Sequence, residues 1–71
     1  MNVKTLSYIH QLLVENEAKL KNAENLVVDA RNKAEKEGAE NYPDLCDAAK
    51  RARVSWGKAY DALQDFDAQD W

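Results

Sequence analysis

Between residues 6 and 34, apolar side chains recur in alternating steps of three and four. Leu6, Ile9, Leu13, Leu20, Ala23, Val27, Ala30 and Ala34 fall on this spacing, and Asn16 is its one polar member. Such spacing draws one narrow apolar seam along an α-helix, at heptad positions a and d if Leu6 is counted as a. The second half of the chain repeats the pattern in Leu45, Ala49, Ala52, Trp56, Ala59, Leu63 and Phe66. No alternation with a period of two appears, so the pattern predicts helices and no strands.

The breakers and caps set the expected boundaries. Asn2 and Thr5 are both suited to an N-cap, and no Gly or Pro follows until Gly38. One helix is therefore expected over residues 3–37. Lys33 and Lys36 suit the negative end of its dipole, and Gly38 can take the left-handed position that closes it. A loop over 38–42 leads to Pro43, which fits the first turn of a second helix, with Asp44 and Asp47 near its positive end. That helix is expected over residues 43–70, with Gly57 as its one weak interior position.

If the chain folds back near residues 39–40, the two seams meet with a facing d at every layer. Leu13 meets Phe66, Asn16 meets Leu63, Leu20 meets Ala59, and Ala23 meets Trp56. Val27 with Ala52, Ala30 with Ala49 and Ala34 with Leu45 complete the set. Large residues then face small ones, as close packing requires. At the e positions His10 comes beside Asp67, and Glu24 beside Arg53. The expected fold is all-α: one domain over residues 1–71, an antiparallel, coiled-coil-like two-helix hairpin.

Several apolar side chains lie off these seams. Leu12 and Leu26 stand one position before the seam on the first helix, and Lys19 and Lys33 share that flank. Ala48 and Ala62 occupy the same flank of the second helix. Tyr8, Val14, Val28, Val54 and Tyr60 are also outside the strict pattern. A hairpin buries one stripe per helix, so a wider apolar face calls for a further layer. Tyr8, Leu12, Leu26, Ala48 and Ala62 are thus the candidate protein-interface residues. The simplest further layer is a second copy, giving a homodimeric four-helix bundle.

Composition narrows the function classes. At 71 residues the chain has little core relative to surface and gains from a partner. A net charge of −3 disfavours partners that need a basic face, so neither nucleic acid nor a membrane surface is expected. Apolar runs stop at three residues, far short of a membrane span. The first residues show no basic stretch leading into an apolar core, so no secretory leader is expected. The single cysteine, Cys46, allows no internal disulfide, and a reducing, cytoplasmic setting is expected.

Candidate chemistry is sparse. His10 is the only histidine, and the register offers it Asp67 but nothing to activate. Cys46 lies between Asp44 and Asp47, whose charge disfavours a thiolate. Asp61, Asp65, Asp67 and Asp70 crowd the C-terminal end without the spacing of a calcium loop. They also sit at the negative end of a helix dipole, so the last turn should fray or meet a cation such as Lys4. Lys50, Arg51, Arg53 and Lys58 form a basic cluster interleaved with Trp56 and Tyr60, but Trp56 belongs to the seam. Trp71 falls across from Tyr8, where an aromatic clasp could tie down the end. No catalytic residue, cofactor or metal site is expected, and the chain is not expected to be an enzyme.

The opening Asn2-Val3-Lys4-Thr5-Leu6-x-Tyr8-Ile9-His10-x-Leu12-Leu13 and the closing Ala62-Leu63-x-Asp65-Phe66-x-Ala68-x-Asp70-Trp71 resemble short uncharacterised helical proteins encoded in phages and prophages of Gram-positive bacteria. The resemblance spans most of the chain. It implies a small cytoplasmic accessory protein and carries no functional residues with it. The functional expectation is a structural or interaction protein that self-associates. The alternative is a small regulatory binder of an unidentified host or phage protein through the same flank.

Overall fold

A computed structural model describes residues 2–70 of the chain. Two helices account for nearly all of it: α1, Val3–Glu37, and α2, Tyr42–Asp67. They pack against each other as a hairpin about 54 Å long. His10, near the start of α1, lies 3.2 Å from Asp67 at the end of α2. Leu45, at the start of α2, lines a cleft with Ala34 at the end of α1. The two helices therefore run in opposite directions.

The caps explain the boundaries. Asn2 is extended, and its side-chain oxygen accepts a hydrogen bond from the Lys4 N–H at 2.7 Å, which closes α1 at its start. Gly38 has φ 63° and ψ 35°, the left-handed conformation that a glycine adopts without a Cβ penalty. There the Gly38 N–H reaches the Glu35 carbonyl and the Ala39 N–H reaches Ala34. α2 begins one residue before Pro43, at Tyr42, and stops at Asp67, short of the expected residue 70. Its last turn holds no basic residue, and acids there oppose the dipole.

The seam of α2 is as the spacing predicts: Leu45, Ala49, Ala52, Trp56, Ala59, Leu63 and Phe66 are all at least half-buried. The seam of α1 departs from the expectation. Leu6, Leu13, Leu20, Val27 and Ala34 at position a face α2, and so does Ile9. Asn16, Ala23 and Ala30, the next three residues at position d, are exposed. Their places are taken by Glu17, Glu24 and Arg31 at position e. Past its first turns α1 is thus rolled so that its a and e positions, not a and d, turn toward α2. The expected pairings of Asn16 with Leu63, Ala23 with Trp56, and Ala30 with Ala49 are corrected accordingly.

The cause lies in Trp56. Its indole N–H needs an acceptor once the ring leaves water. Glu17 supplies one at 2.6 Å, and the Lys21 ammonium lies 4.3 Å from the ring centroid. Tyr60 covers the ring from its own helix at 5.5 Å between centroids. Ala23 could offer only a methyl group. Rolling α1 toward its e positions satisfies the indole and lays the stems of Glu17 and Lys21 on apolar surface.

Candidate functional site

The consequence of the roll is a stripe on α1 that the hairpin leaves open. Leu12, Asn16, Lys19, Ala23, Leu26 and Ala30 are all exposed, and they follow one another in steps of four and three. Leu26 is 64% and Leu12 45% exposed. Tyr8, one turn before Leu12, is 61% exposed. On the neighbouring flank of α2, Ala62 is exposed and Ala48 half-buried. Of the five residues expected to form an interface, four are exposed and Ala48 is half-buried. Ala23 and Ala30 belong to the stripe on α1. Their heptad position placed them in the core, and the period alone carries no signal of the roll.

The opposite flank is occupied. His10 Nε2 meets Asp67 Oδ1 there, and the His10 ring lies 6.2 Å from that of Phe66. Glu24 is buried between the helices and makes an ion pair with Lys21 at 3.6 Å. Among the described residues, its second oxygen has no hydrogen-bond partner. It shares a cleft of about 290 Å³ with Arg31, Lys50 and Arg53, so two members of the basic cluster lie beside a carboxylate. The expected neighbourhood of Glu24 and Arg53 is present without a direct ion pair.

The remaining candidates do not assemble into a reactive site. Cys46 is half-buried and free. The Tyr42 phenol is pushed above its ordinary value, first by a hydrogen bond with the Cys46 side chain and then by electrostatic interaction with Cys46 and Glu35; Arg31 offsets part of this. Among the described residues, no three His, Cys, Asp or Glu side chains are grouped to hold a metal ion. No helix of the described chain is long and apolar enough to cross a membrane. The expected clasp between Tyr8 and Trp71 lies outside the described residues.

Comparison with protein-family models, with curated proteins and with solved structures gives no match. The stripe on α1 therefore has to be understood from its own chemistry. It combines two protruding leucines, small residues that allow a close helix approach, Lys19 between the leucines and Lys33 just past Ala30.

Proposed function

We propose that this chain is a non-enzymatic interaction protein whose hairpin associates with a second copy through the open side, forming a coiled-coil-like four-helix bundle. One observation carries this: among the described residues, the only buried hydrophobic side chains are those of Ala34, Ala49 and Ala59, while Leu12 and Leu26 face water. Alanines bury little apolar area, so a lone hairpin gains little against its chain entropy. A second hairpin over the open side would bury both leucines and part of Tyr8, and would enlarge the core without new sequence. The resemblance to short phage-encoded proteins supports a small cytoplasmic accessory role.

A second reading, a regulatory binder of another protein, is favoured by Val54 and Tyr60. Both are exposed on α2 away from the open side, so a surface for a different partner would remain after dimerisation.

The test is the double substitution Leu12→Lys and Leu26→Lys. Light scattering on a sizing column at low micromolar concentration should show a dimer for the parent and a monomer of lower helicity for the variant. A dimeric variant would move the interface elsewhere. A well-folded monomeric parent would leave the hetero-partner reading alone.

A further inference from the structure

Resting on that self-association, we infer that the occupant of the open side is the α1 helix of a second copy, lying antiparallel with its two-fold axis between residues 24 and 25. The stripe is itself a seam with its own heptad steps, so a partner helix must meet it at one of a few registers seven residues apart. Charge distinguishes them. The side chains flanking the stripe on its outer edge are Glu15, Asn22, Asp29 and Lys36, all exposed.

With the axis at residues 24–25, Leu26 of each copy covers Ala23 of the other, and Leu12 lies along the stem of Glu37 at the last turn of the partner's α1. Glu15 then faces Lys36 across the contact, and Asn22 faces Asp29. Lys19 comes to Ala30 beside Asp29, and Lys33 to Asn16 beside Glu15. Every stripe lysine meets an acid, and each pairing occurs twice by symmetry. On the inner edge of the stripe, the half-buried Leu20 and Val27 come to the same level in the two copies.

The neighbouring registers lose this match. Moving the axis to residue 21 sets Glu15 against Asp29 and puts Lys19 onto Ala23. Moving it to residue 28 opposes the two Asp29 side chains. A parallel pairing stacks Lys19 on Lys19 and Lys33 on Lys33. Like charges facing each other are unfavourable in each case. α2 contributes less to the contact, because the same axis brings Arg51 toward Lys58 of the second copy. The small Ala48 and Ala62 allow it to approach behind α1.

A charge swap tests this. Lys19 and Asp29 are ten residues apart on one helix, about 15 Å, so they do not pair within a chain. Sedimentation equilibrium at low salt should show Lys19→Glu and Asp29→Lys each weakening the dimer about tenfold. The double variant should return to within about threefold of the parent. Additive weakening in the double variant, with a dimeric parent, overturns the register and leaves self-association standing. A parent that stays monomeric at hundreds of micromolar overturns self-association itself.

A second measurement is independent of charge. In an Asn16→Cys, Cys46→Ala chain, the antiparallel pairing keeps the two new thiols about 25 Å apart along the axis. Parallel pairing brings them together. Absence of a rapid disulfide under mild oxidation is expected, and its rapid formation overturns the proposal.

Discussion

The indole N–H of Trp56 donates to the Glu17 carboxylate across the two helices at 2.6 Å, between residues 39 positions apart in the chain. This bond, with Lys21 over the same ring, links the largest side chain of the α2 seam to a charged position of α1. It accounts for the roll of α1 and, through the roll, for the open stripe.

Trp56→Ala should therefore be the most damaging truncation in the hairpin. The ring is half-buried, and its loss should cost about 3 kcal/mol. Trp56→Phe keeps an aromatic ring but leaves Glu17 without its donor, and should cost about 1 kcal/mol. Urea denaturation followed by circular dichroism measures both. A Phe variant with the parent midpoint would show that the bond contributes nothing.

Among the described residues, Glu24 is the one buried charged residue, with its side chain 11% exposed. It has one free oxygen and stands near Lys21, Arg31, Lys50 and Arg53. Glu24→Lys places a fifth cation in that cluster and should lower stability by about 2–4 kcal/mol. Glu24→Leu removes the unpaired oxygen and should be neutral or raise the melting temperature. If Lys and Leu were equally tolerated, burial of the carboxylate in solution would be disproved.

The two glycines should respond with opposite signs. A Cβ added at either would meet nothing within 4 Å, so the backbone alone decides. Gly38 is left-handed, and Gly38→Ala should destabilise by about 1 kcal/mol. Gly57 is inside α2, and Gly57→Ala should stabilise by about 0.5–1 kcal/mol. Thermal melts of the two variants moving in the same direction would contradict this.

The Tyr42 phenol titrates above the ordinary tyrosine range because the Cys46 hydrogen bond and nearby negative charge oppose its ionisation. A group whose folded-state pKa is raised favours the folded state while protonated. Its contribution is complete below the unfolded value of about 10 and is lost as pH rises through the folded value. Absorbance at 295 nm during alkaline titration should show a late phenolate step that Tyr42→Phe removes. A variant that keeps the late step would assign it to another tyrosine.

Much of this architecture is local and can be read from residue order. The helix over residues 3–37 needs an N-cap at Asn2, a stop at Gly38 and nothing that breaks the helix between them. The α2 seam, from Leu45 to Phe66, is equally a matter of period. The meeting of His10 with Asp67 follows from where the chain turns. The roll of α1 has a different origin. Periodicity assigns Asn16, Ala23 and Ala30 to the core because it counts apolar and polar positions on one helix at a time. It does not weigh the need of an indole N–H on the other helix for an acceptor. That need is met only when two segments far apart in the chain are brought together, and Glu17 meets it where Ala23 does not. The open stripe on α1 is the result: every residue in it is visible in the sequence, but its exposure is decided by one hydrogen bond between helices.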